Sequence, residues 1–111
     1  MEMAISASYE IFGKDAFRKY DGAAYEGRFN RAVFDIIVFY LVDEDIRSRA
    51  LSRKAATKKA YETLSDNRLF IRSIETTTKS VEATRIRFTT WGQALSKALG
   101  KKISVPLIGK A

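Results

Sequence analysis

The feature that most constrains this chain is the stretch 30–42, which is apolar nearly all round: Val33, Phe34, Ile36, Ile37, Val38, Phe39, Tyr40 and Leu41 crowd into it. A segment with so little polar surface belongs at the centre of a core, because it has no face to offer water. Its β-branched and aromatic residues suit a buried strand on propensity alone. Two observations favour a helix instead. Asn30 is a good N-cap, able to accept from an N–H of the first turn. A length of about 12–13 residues is long for a strand and ordinary for a helix. The stretch therefore predicts a central, buried helix. Its longest unbroken apolar run has seven residues, 36–42, against the ~20 needed to cross a bilayer, so no membrane partner is expected.

The remaining elements follow from spacing and caps. Residues 2–12 predict a helix with Ile5, Tyr9 and Phe12 on one face and Gly13 as its stop. A short segment, 15–20, reads as capped by Asp15 with Phe17 and Tyr20 on one side. Asp21-Gly22 is a turn signal, and the chain stays loop-like to Gly27. Residues 46–64 are rich in helix formers; Ser52 predicts a fresh start, and Ala56, Ala60 and Leu64 an inner stripe. Asp66 predicts the cap of a short helix carrying Leu69, Phe70 and Ile74. A hinge of Thr76, Thr77 and Thr78 leads to the last helix, capped by Ser80 and ended by Gly100. Its stripe is Val81, Thr84, Phe88, Trp91, Leu95 and Leu99. The fold class is all-α, a compact bundle of about five helices in one domain over 1–100, followed by a loosely ordered tail, 101–111, that holds the single proline, Pro106.

The residues absent from the chain narrow its chemistry. Among 111 residues there is no cysteine and no histidine. Disulfides, thiolate nucleophiles and cysteine-ligated zinc are excluded, and the commonest general base and metal ligand is missing. No GxxxxGK[ST], GxGxxG or GxSxG pattern occurs. The trio Asp43, Glu44, Asp45 reads as the start of a helix rather than a metal site, since adjacent carboxylates suit the positive end of a helix dipole. The expectation is a non-enzymatic domain with no catalytic residue, cofactor or metal. The N-terminus has no basic start followed by a long apolar stretch, so a cytoplasmic location is expected.

Charge is the one candidate for a binding signal. The net charge is +7, but residues 1–45 hold five Lys/Arg against nine Asp/Glu, a net −4, while 46–111 hold fifteen against four, a net +11. Arg47, Arg49, Arg53, Lys54, Lys58 and Lys59 fall within thirteen residues, followed by Arg68 and Arg72. Lys54 and Lys58 share a helical face, as do Arg68 and Arg72. Such a surface can neutralise phosphates, and Arg47, Arg53, Lys54, Lys58, Lys59, Arg68 and Arg72 are the candidate nucleic-acid contacts. A solvated helix face, or docking to an acidic protein, explains the same residues. Aromatics are not interleaved among them, so base stacking is not expected there. Of Arg85 and Arg87, one is expected to anchor an internal ion pair with an acidic residue of the first half.

Several short stretches also resemble a known family. They are 7–13 (Ala-Ser-Tyr-Glu-Ile-Phe-Gly) with Ala16, Phe17 and Arg18; 28–35 (Arg-Phe-Asn-Arg-Ala-Val-Phe-Asp); 66–71 (Asp-Asn-Arg-Leu-Phe-Ile); and 84–88 (Thr-Arg-Ile-Arg-Phe). Together they resemble the helical C-terminal region of the ParB/sulfiredoxin-like domain family of unknown function that carries a DGQQR motif, common in modification-dependent restriction and phage-defence proteins. The likeness covers roughly residues 3–99. In that family the DGQQR motif, linked to nucleotide hydrolysis or nicking, lies upstream in an α/β domain; this chain has no DGQQR, so no catalytic residue carries over. The resemblance implies a helical companion domain, either cut from a longer protein or encoded separately, and a helix beginning almost at Met1 fits both. Its expected partners are an upstream catalytic domain, nucleic acid, or a second copy of itself. The alternative is a stand-alone inhibitor or regulatory subunit that works through protein–protein contact.

Overall fold

Asn30 does open the central helix: its side-chain carbonyl accepts from the Val33 N–H at 3.0 Å, and the backbone becomes helical at Arg31. The computed structural model describes residues 1–75 and 80–106. Among them are six α-helices: α1 (Glu2–Phe12), α2 (Arg31–Leu41), α3 (Glu44–Ser52), α4 (Lys54–Thr63), α5 (Arg68–Glu75) and α6 (Val81–Leu99). Single 3₁₀ turns at Gly13–Asp15 and Leu64–Asp66 follow α1 and α4. The only extended pairing among the described residues is one antiparallel bridge, Tyr20 to Tyr25. The chain is all-α, and 30–42 is helix.

α2 is the axis of the bundle, with Val33, Ile36, Ile37, Tyr40 and Leu41 almost fully buried. α1 packs across α2, α3 and α4, while α6 lies against α4, α5 and α2. Tyr61 of α4 ties these layers together. Its ring lies edge-on to Phe12 of α1 and Trp91 of α6, with centroids 5.6 and 5.9 Å apart, and to Phe70 of α5 at 6.4 Å. Edge-to-face packing adds about 0.5–1.5 kcal/mol per pair beyond area burial. The Tyr61 hydroxyl donates to the Arg18 carbonyl at 2.8 Å, so the burial leaves no orphan polar atom there. Where α2 meets α6, the Tyr40 hydroxyl donates to the Phe88 carbonyl at 2.8 Å. Gly92, one turn on, makes room for that ring.

Several expected boundaries shift. The segment 15–20 is not a helix: after Gly13–Asp15, Phe17 adopts φ +63° and the chain turns into the bridge at Tyr20. A left-handed conformation is unusual for a bulky residue and costs on the order of 1–2 kcal/mol. It is offset here by burying Phe17 among Tyr9, Phe29 and Phe34. The break between α3 and α4 falls at Arg53, and the Ser52 hydroxyl donates to the Arg49 carbonyl rather than capping α4. The inner stripe of α4 is Thr57 and Tyr61 leading to Leu64, with Ala60 partly buried against the core and Ala56 exposed, because the rotation that buries the large aromatic wins. Asn67, not Asp66, caps α5, accepting from the Phe70 N–H at 3.0 Å. Ser80 and Gly100 bound α6 as expected. The threonine hinge, 76–78, and the tail 107–111 lie outside the described residues. Of the rest of the tail, Lys101 pairs with Asp45 at 2.9 Å and Ile103 is buried, so this part is docked rather than loose.

Candidate functional site

Part of the charge asymmetry in the sequence closes on itself. Lys54 of α4 lies 3.8 Å from Glu10 of α1, and Lys58 lies 3.4 Å from Asp15 and over the Tyr25 ring. In each case a base of the second half meets an acid of the first, which ties α4 to α1 and to the 3₁₀ turn that follows it. Arg47 donates to the Leu41 and Val42 carbonyls at the end of α2, at 3.1 and 3.2 Å. Arg53 donates to the Ala98 carbonyl near the end of α6 at 3.3 Å. Cations at these positions satisfy orphan carbonyls and oppose the negative helix ends. Of the seven expected nucleic-acid contacts, Lys59, Arg68 and Arg72 are exposed, and their side chains make no ion pair or hydrogen bond among the described residues.

The acid trio is structural. Asp43 caps α3 by accepting from the Ile46 N–H at 3.0 Å, and Asp45 is held below the ordinary carboxylate range chiefly by its hydrogen bond from Lys101. No group of three or more metal-binding side chains gathers among the described residues. No helix there is long and apolar enough to cross a membrane.

A different surface has the shape of a site. An open groove of about 1050 Å³ lies between the N-terminal halves of α2 and α6, bordered by the end of α5 and by the loop that carries Lys19 and Glu26. One part of its wall is aromatic and the rest largely charged: Phe39 and Phe88 meet edge-on at 5.2 Å, and Phe39 is 47% exposed. Phe29, 58% exposed, stands at its entrance, held against Phe17 and Phe34. The N-terminal part of the expected α6 stripe borders this groove: Thr84 and Phe88 line it, Phe88 also packing against the core, while Ala83 and Arg87 are the buried residues of that part of α6.

The groove's charges are almost matched. Lys19 reaches both Glu26 and Glu75 and its own pKa is raised, first by the hydrogen bond to Glu75. Arg31 pairs with Asp35 at 2.9 Å, one helical turn on. Arg28 and Arg87 have no carboxylate partner among the described residues. Among the described residues neither Arg85 nor Arg87 lies within ion-pair distance of an acid of the first half. Arg85 pairs with Glu82 on its own helix, and Arg87 donates to two neutral acceptors, the Ser73 carbonyl at 2.8 Å and Thr84 Oγ1 at 3.3 Å. Burial lowers the Arg87 pKa, and Asp35 acts against that shift from beyond ion-pair distance.

Sequence reasoning did not find this groove. Phe39 sits inside the most apolar run, where nothing local separates a wall from a core residue. Arg28-Phe29 was legible only as part of a family resemblance. No family model matches the chain, and no curated protein or solved structure matches it either.

Proposed function

We propose that this chain is a non-catalytic helical companion domain of a bacterial restriction- or defence-type system, acting in the cytoplasm by docking another protein. The observation that carries the docking is the partly aromatic groove between α2 and α6, where Phe29 and Phe39 keep about half their surface in water. Large side chains exposed together at a concave surface are where partner proteins bind best. The restriction and defence setting rests on the motif resemblance. The docked protein is a catalytic domain of such a system, or the target of a regulatory subunit.

A second reading, nucleic-acid contact, is favoured by the freedom of Lys59, Arg68 and Arg72. Their number limits it. With each phosphate contact contributing about −0.9 to the slope of log K against log salt, three free cations give a slope near −3. Binding of labelled duplex DNA through a salt series, with wild type and a K59E/R68E/R72E variant, separates the two. Weak binding that the triple variant leaves unchanged supports protein docking. A slope near −3 that disappears in the variant makes nucleic acid the partner and displaces the docking reading.

A further inference from the structure

Arg87 is only 9% exposed, yet it lacks a counter-ion among the described residues. A guanidinium has five N–H donors, and Arg87 spends two of them, on Ser73 and Thr84. Its Nε–H is buried with no acceptor. A buried cation without a carboxylate is expensive to keep, and the bonds of Arg87 to the Ser73 carbonyl near the end of α5 and to Thr84 leave its Nε–H unmet. Arg87 lines the groove, as does Arg28, the other unpaired cation, and the aromatic wall of Phe39 and Phe88 stands beside them.

The geometry points to a docking groove for an acidic segment of a protein partner, its carboxylate taken by the unpaired guanidiniums and an adjoining apolar side chain laid against Phe39 and Phe88. This rests on the protein-docking reading and adds the site and the chemistry of what enters it. Arginine is the cation suited to a planar, two-pronged grip on a carboxylate. The groove's volume of about 1050 Å³ is slightly above the ~300–1,000 Å³ typical of ligand clefts, enough for a peptide segment. A nucleic acid fits less well, because Glu26, Asp35 and Glu75 also line the groove and would repel successive phosphates. A peptide with a single carboxylate beside apolar residues sets less negative charge against those three acids than a run of phosphates does, and it meets Arg28 and Arg87.

The test uses a phage-displayed library of random peptides selected on the full chain. Enriched peptides are expected to place Asp or Glu within a few residues of Leu, Phe or Trp. A synthetic copy should bind R87M and F39S at least about tenfold more weakly than wild type, with R87K intermediate and K59A unchanged. Circular dichroism checks that R87M folds; if it does not, F39S and R28Q at the surface carry the comparison. Enriched peptides without an acidic residue, or ones that bind R87M, F39S and R28Q as well as wild type, overturn the groove and leave protein docking standing. Recovery of no peptide, together with duplex DNA binding at a salt slope near −3, overturns both.

Discussion

Gly92 sits in the middle of a 19-residue helix, where glycine is about 0.8–1.0 kcal/mol worse than alanine. Helix propensity alone therefore says that Gly92→Ala stabilises the protein. The packing says the reverse. A Cβ on Gly92 would fall 2.9 Å from Cζ of Tyr40 and closer still to its hydroxyl. Tyr40 is 2% exposed and cannot swing into solvent. Overpacking of this kind costs about 1–3 kcal/mol, and displacing the ring also breaks its bond to the Phe88 carbonyl, worth about 0.5–1.5 kcal/mol. Setting about 3 kcal/mol of loss against about 1 of gain leaves G92A about 2 kcal/mol less stable. In a domain of this size that is a melting point roughly 8–16 °C lower. Tyr40→Leu removes the ring, so in that background Gly92→Ala should recover its propensity and stabilise by about 1 kcal/mol. The coupling of about 3 kcal/mol is at the upper end for residues in contact. Urea unfolding followed by far-ultraviolet circular dichroism, with all four members of the cycle sharing one m-value, measures it. If G92A is as stable as wild type, or loses as much in the Y40L background, the close approach is not what selects glycine. A cost that vanishes in V105A instead would move it to the docked tail, whose Val105 Cγ2 lies 3.0 Å from the same point.

The buried tyrosines predict alkaline sensitivity. Burial pushes Tyr40 up to about 12 and Tyr61 higher still. Because the folded pKa is raised above the unfolded value of about 10, the stability is fully present below pH ~10 and is lost as pH rises through the folded values, at about 1.4 kcal/mol per pH unit for each ring. Because the unfolded rings are already half ionised at pH 10, urea midpoints should fall by the equivalent of about 2 kcal/mol between pH 10 and 11 from these two rings, with Y40F losing half that slope; a flat profile to pH 11.5 refutes it. At Phe17, truncation to alanine should cost about 3–5 kcal/mol. F17G should be about 1 kcal/mol more stable than F17A, against the usual order, because of the positive φ; thermal melts of the pair decide, and F17A proving the more stable would count against strain there. Asn30 has two tasks, capping α2 and donating to the Ile74 carbonyl at 3.0 Å. N30A should therefore lose about 1–2 kcal/mol, while N30D, which keeps only the cap, should fall between N30A and wild type; equal urea midpoints for N30D and N30A would show that the cap contributes nothing.

The all-α class was legible because α1, α2 and α6 carry it locally: a stop glycine after α1, an asparagine cap before α2, a serine cap and glycine end around α6. Caps and periodicity act within a few residues, so they survive in one sequence without its fold. Boundaries that depend on distant packing were not legible. Tyr61 chose the inward face of α4 by meeting Phe12, Phe70 and Trp91 from three other helices, and Phe17 accepts a strained backbone for its place among aromatics far along the chain. Charge shows the division most clearly. The sequence by itself determined that acids crowd the first half and bases the second. Only the tertiary structure decided that Lys54, Lys58 and Lys101 would meet Glu10, Asp15 and Asp45, and that Arg28 and Arg87 would line a groove with no carboxylate partner among the described residues. A charge's value depends on what lies within a few ångströms of it in space, and that neighbourhood is set by folding, not by order along the chain.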